Sequence, residues 1–446
     1  MNEKAAMQQD VPVLAGADPA APDPLSVFRH EQLPAWALVR QRFDTTEIVD
    51  VHAAVETAFA ALGDVIQPGQ RVCLGLGSRG IDRIDEVARA AVGAVLARGG
   101  RPFGVPAMGS HGGATADGQL EVLASLGITP ERIGCEIRSS MEPVQIGELD
   151  GRIPVYFDRH AFEEADLVIP INRVKPHTDF SGPVESGLLK MIAIGFGKQR
   201  GADTFHGQGF PSFAELIPAV GRYSLGRVSI PFGLALVENS YARLRRIEAI
   251  PAASIWDRER ELQDEADSYL ARLPMAALDV LILDRIGKDI SGLGMDSNVV
   301  GRYYDGPTGR GPSIQRIIVR DLTDETEGNA VGIGMADVAL RRAVERMEPM
   351  RTYMNCITAK TPEGARVALT VGTDREALDV AIACCIKVDS ATARIARIVD
   401  TKHVDLLYAS ESLLPELLAG GMCEVVTGPS SIAFGPDGHF QDRFPG

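Results

Sequence analysis

RVCLGLGSRGIDRIDEVARAAVGAVLARGGRPFGVPAMGSHGG, residues 71–113, sets the fold class. RVCLGLG (71–77) is a short apolar run that ends in glycines, the pattern of a buried strand entering a loop. IDEVARAAVGAVLARGG (84–100) follows with helical periodicity and a glycine stop. RPFGVPAMGSHGG (101–113) is a second strand running into a second glycine loop. Strand, helix and strand in this order predict parallel neighbours with a helix across one face.

The theme recurs outward from this stretch. ADLVIPIN (165–172), PFGLALVEN (231–239) and LDVLILD (278–284) are further apolar strands. Residues 250–274 read as a long charged helix, a hinge candidate. Beyond it come SIQRIIVRDL, a predicted helix at 336–347, the strand RVALTV and a helix through IACC. The fold class expected is α/β: two α/β domains with mainly parallel sheets and an interdomain active-site cleft. A chain of 446 residues is long enough for two cores. The expected division is a mobile Ala/Pro/Asp-rich leader at 1–24, an N-terminal domain at 25–275, a C-terminal domain at 276–400, and a tail at 401–446 packing on either.

Composition narrows the function. The net charge of −15 argues against nucleic acid or an anionic membrane as partner. An anionic substrate must then be drawn by local cations. The six cysteines form no CxxC pair, which suits reduced thiols. The leader lacks a basic n-region followed by an apolar h-region, and no run of about 18 apolar residues occurs, so a cytoplasmic location is expected.

In parallel sheets, ligands bind beyond the carboxyl ends of the strands. The unusual residues lie there. GLGSRG (75–80) offers Ser78, and Arg79 suited to a phosphate or carboxylate. It is neither a P-loop nor a GxGxxG fingerprint. GSHGGAT (109–115) presents His111, able to take or give a proton near neutral pH. NRVKPHTDFSGPVESGLLKMIAIGFGKQRGADTFHGQGF (172–210) carries His177, Lys190, Lys198 and His206. A lysine among apolar residues, like Lys190, suits a nucleophile or an attachment point. A neutral imidazole at His206 could ligate a metal or bond a substrate. GKDISGLGMDSNVVGRYYDG (287–306) supplies Lys288, Asn298 and Arg302 as anion-binding candidates. Each residue alone also fits an ordinary turn or surface role, and the joint arrangement favours a site.

Taken together, GSRG (77–80), GSHGG (109–113), KPHTDFSG (175–182), SGLLKMIAIGFGK (186–198) and the histidine at 206 resemble the lactate racemase family. These are nickel-pincer-nucleotide-dependent racemases and epimerases of 2-hydroxy acids. The resemblance runs from about 40 to 435 and is strongest in 70–210. It implies a pyridinium-3,5-dithiocarboxylic acid mononucleotide that binds nickel through its sulfur arms. Lys190 would tether it, His206 would ligate nickel, and Ser78, Arg79 and Lys198 would hold the nucleotide. His111 and His177 would be the acid/base pair. Arg79, Lys288, Asn298 and Arg302 would meet the substrate.

The implied chemistry is a transfer of the C2 hydride to the cofactor and back, through a transient keto acid. The step from His177 to Lys190 is longer than in the lactate enzymes, and Arg302 or Lys288 stands where they use a lysine. Lactate itself is therefore not the expected substrate. The implied partners are a small-molecule 2-hydroxy acid and the proteins that build the cofactor, with a homo-oligomer as an option. Two other classes remain open at this level. One is a hydrolase or hydro-lyase with metal on His111, His177 and His206. The other is a non-catalytic carrier of the nucleotide.

Overall fold

The computed structural model describes residues 24–78, 80–178, 180–209, 212–304, 306–307 and 309–445. Two sheets organise it. The first has five strands in the order Arg101–Pro106, Arg71–Leu76, Leu167–Arg173, Phe232–Glu238 and Leu244–Pro251. The first four run parallel, and the last pairs antiparallel at the edge. The helix Ile84–Ala97 joins the two strands of the opening stretch, as its periodicity predicts.

The second sheet has eight strands. Leu369–Val371, Val338–Leu340, Ser313–Val319, Ala277–Leu283 and Ile395–Ile398 form its parallel part. Leu406–Ser410, Ala35–Gln41 and Cys423–Ser431 extend it antiparallel.

Three sequence expectations are corrected here. The strand Ala35–Gln41 does not join the N-terminal unit. It lies between Leu406–Ser410 and Cys423–Ser431 in the larger sheet. An apolar strand records its own burial, not its partner, because pairing is non-local. The second unit also runs past 400, since the tail supplies Cys423–Ser431 as its edge strand. The helix expected at 336–347 is a buried strand, Val338–Leu340, and a short helix, Arg341–Glu345. A brief Val-Ala-Leu run has no period long enough to separate the two states.

Close approaches to the first sheet place the functional segment. Lys190 lies in a helical turn, Leu188–Lys190, that continues as a π-helical stretch, Met191–Gly195. Phe196 follows and packs over Gly75, where a Cβ would stand only 2.2 Å from its ring. Leu188 packs over Gly233 in the same way, with 2.6 Å to an added Cβ. Phe196 also stacks on Phe157, with ring centroids 4.6 Å apart. The glycines of two sheet strands thus let the Lys190 segment lie close on the sheet.

Candidate active site

Three loops leave the carboxyl ends of neighbouring parallel strands, on one edge of the sheet. Ser78 follows Arg71–Leu76, His111 follows Arg101–Pro106, and His177 follows Leu167–Arg173. Ser78 Oγ lies 2.5 Å from His111 Nδ1, a contact whose donor depends on the imidazole tautomer. The His111 loop is tied to the Lys190 segment by the Gly109 amide, which donates to the Gly195 carbonyl at 3.0 Å.

An aromatic cluster joins the other site residues. The His177 ring packs on Phe180 with centroids 4.6 Å apart. The Lys190 ammonium stands 5.8 Å from the same ring. Phe213 meets Phe180 at 5.5 Å and His206 at 5.6 Å. His206 lies in the last turn of the helix Lys198–Gln208, not in a loop. Burial pushes its pKa below the ordinary histidine value, and the positive charges of Lys190 and then Lys360 act in the same direction, against Asp203. A neutral imidazole is the form that can ligate a metal.

Other expected residues serve different ends. Lys198 is not placed to touch a cofactor. It has no exposed surface and pairs with the equally buried Asp158 at 2.9 Å. Its ammonium also donates to the Pro106 carbonyl at 2.5 Å and to Gln119 Oε1 at 3.1 Å. Gln119 in turn donates to the Gly109 and His111 carbonyls, at 2.9 and 3.3 Å. Lys198 is therefore the base of a buried network under the His111 loop. A charge this deep must be paired, and sequence pattern does not reveal the partner.

Arg302 is likewise turned away from the substrate role expected for it. Its guanidinium bonds Asp337 at 2.5 Å and the carbonyls of Met335, Ile314 and Gln315. It fastens the strand Ser313–Val319 to the segment that leads into the strand Val338–Leu340. Asn298 is buried and uses its amide on protein: Nδ2 donates to the His177 carbonyl at 3.0 Å, and Oδ1 accepts from Arg310 at 3.3 Å. Lys288 Nζ donates to the Gly292 carbonyl of its own loop at 2.8 Å. Arg79 lies outside the described residues.

The structure adds residues that the sequence did not single out. Glu185 is fully buried and accepts the His177 amide at 2.7 Å. Glu259, from the helix Ile255–Ser268, accepts the Leu189 amide at 3.0 Å and so caps the turn that carries Lys190. Its burial raises its pKa to about 8 against those amide bonds. Lys360, at the end of the helix Pro349–Ala359, brings a charge from the second unit to His206. The four-residue step from Glu259 to Gln263 was a visible signal, since it puts both on one helix face. Among the described residues, no three His, Cys, Asp or Glu side chains, His111, His177 and His206 included, are grouped to hold a metal ion.

No protein-family profile matches the chain, and no curated protein matches it in sequence. Solved structures with a similar arrangement include the lactate racemase apoprotein from Thermoanaerobacterium thermosaccharolyticum. It is 13% identical, with a TM-score of 0.48 over 84% of this chain and 95% of that one. A crystal structure of a Thermotoga maritima protein is 16% identical, with a TM-score of 0.45 over 60% of this chain and 70% of that one. Among the described residues, no helix is long and apolar enough to cross a membrane.

Proposed function

We propose that this chain is an isomerase that inverts C2 of a 2-hydroxy acid other than lactate, working with a nickel-pincer nucleotide. The observation that carries the reading is the placement of Lys190, His177 and His206 around the Phe180 and Phe213 rings, with burial lowering the His206 pKa. The donor set suits that group. A single imidazole matches a metal whose remaining donors come from the cofactor itself. Lys190 would hold the nucleotide, and His206 would face the metal. When bound, the group would supply the acceptor and donor of the C2 hydride.

The chain's own residues would handle binding and protons. In the tautomer whose Nδ1–H donates to Ser78 Oγ, the basic nitrogen of His111 would be Nε2. That nitrogen would take the proton of the substrate hydroxyl or return it. His177, from a separate loop, would do the same for the other enantiomer, since inversion must run in both directions. Lys360 would add positive charge for the substrate carboxylate, which the acidic chain as a whole repels. The partners in this reading are the hydroxy acid and the proteins that build the nucleotide.

The test is intact mass spectrometry with metal analysis on protein co-produced with the cofactor pathway, followed by a racemisation panel of 2-hydroxy acids. The expected result is a mass increment on the intact chain that a Lys190→Ala variant lacks, nickel in the protein, and substrate inverted with its C2 hydrogen retained. Complete exchange of that hydrogen with solvent deuterium would overturn the hydride route.

A further inference from the structure

The main chain of His177 is held from both sides. Its amide donates to Glu185 Oε2 at 2.7 Å, and its carbonyl accepts from Asn298 Nδ2 at 3.0 Å. Thr178 is gripped next to it, its carbonyl accepting from Ser297 Oγ at 2.5 Å. Asn298 and Ser297 belong to the second unit, so two successive carbonyls of the His177 loop are held from across the interface.

Glu185 has no exposed surface, and a buried carboxylate requires compensation. Ser181 Oγ and the Gly182 amide each bond Oε1 at 3.0 Å. Its cationic partner is Arg310 of the second unit, with Nη2 at 2.7 Å from Oε1 and Nη1 at 3.0 Å from Oε2. This is the two-nitrogen fork that only arginine provides. The Arg310 fork also bonds Asn298, and its Nε lies 3.5 Å from Asp267.

The helix Ile255–Ser268 backs the arrangement. Glu259, Gln263 and Asp267 recur at four-residue steps, on one face. Glu259 caps the Lys190 turn. Gln263 accepts the Glu185 amide at 2.8 Å and donates to the Gly182 carbonyl at 3.2 Å. Asp267 faces Arg310. One helix face thus touches the Lys190 turn, the His177 loop and the second unit.

We propose that Arg310 is a positioning residue for His177, acting through Glu185, so that contact between the two units sets the pose of the histidine. The proposal rests on the function above, in which His177 moves the hydroxyl proton. Arg310 is joined to the bond that holds the histidine's own amide, whereas a merely structural ion pair would alter stability alone. Replacing it leaves Glu185 buried without its cation and loosens that amide.

The test begins with hydrogen exchange on the full chain without cofactor, comparing wild type, Arg310→Ala and Arg310→Lys. The His177 amide is expected to exchange about tenfold faster or more in R310A and at an intermediate rate in R310K, with the strand Arg71–Leu76 unchanged. Exchange equal to wild type at His177, or faster by the same factor everywhere, would overturn the proposal. In cofactor-loaded enzyme, R310A is expected to lower kcat about 10- to 100-fold with little change in KM, with partial recovery in R310K. Unchanged kcat in R310A would also overturn it. A loaded wild type that inverts no hydroxy acid would refute the functional reading alone, and the exchange comparison would still decide whether Arg310 holds His177.

Discussion

Lys198 Nζ stands 2.9 Å from Asp158, and neither side chain has any exposed surface. The pair lies beneath the His111 loop and reaches it through Gln119. Removing one member leaves an uncompensated buried charge. Lys198→Ala is expected to lower unfolding free energy by about 3–5 kcal/mol. Denaturant titration measures it, and a loss below about 1 kcal/mol would show that the pair is not structural.

Glu259 sets a dependence of stability on pH. Burial raises its folded pKa from 4.5 to about 8, so the native state retains a proton that the unfolded chain releases. More protons bound in the native state means that stability falls as pH rises. This contribution is present below about pH 4.5 and is lost progressively up to about pH 8. Glu259→Gln keeps an acceptor for the Leu189 amide and removes the titration. Its Tm is expected to vary less with pH across that window than the wild-type Tm. Parallel Tm–pH curves for the two proteins would refute this.

His206 owes part of its lowered pKa to the Lys190 ammonium. Lys190→Met is expected to move that pKa upward, toward the ordinary histidine value, in protein without cofactor. An NMR titration of the His206 ring protons measures the shift. An unchanged midpoint would mean that the Lys190 charge does not act on the ring and that burial remains the main cause.

Ser78 orients His111 by the contact at Nδ1. Ser78→Ala is expected to reduce kcat about tenfold with a smaller change in KM, because the hydroxyl positions the histidine and not the substrate. Steady-state kinetics on loaded enzyme checks this. A rise in KM with kcat unchanged would assign Ser78 to substrate binding instead.

Much of the fold was legible in local pattern. The strands after 71, 101, 165, 231 and 278 appear where apolar runs end in polar loops. The positions of Ser78, His111 and His177 were legible for the same reason, since each follows such a strand. Lys198 and Arg302 were misread because a charged residue near a glycine looks the same whether it faces a ligand or a buried carboxylate. Lys198 faces Asp158, and Arg302 faces Asp337.

By itself, the sequence determined the α/β class, the strand–loop positions and the set of histidines, because these depend on the order of apolar and polar residues along a few turns of chain. Tertiary structure alone decided that Ala35–Gln41 crosses into the larger sheet, that Lys198 lies under the site and not in it, and that Glu185 joins His177 to Arg310. Those outcomes depend on which distant groups meet when charge and backbone are buried, and residues 125 positions apart carry no shared local signal.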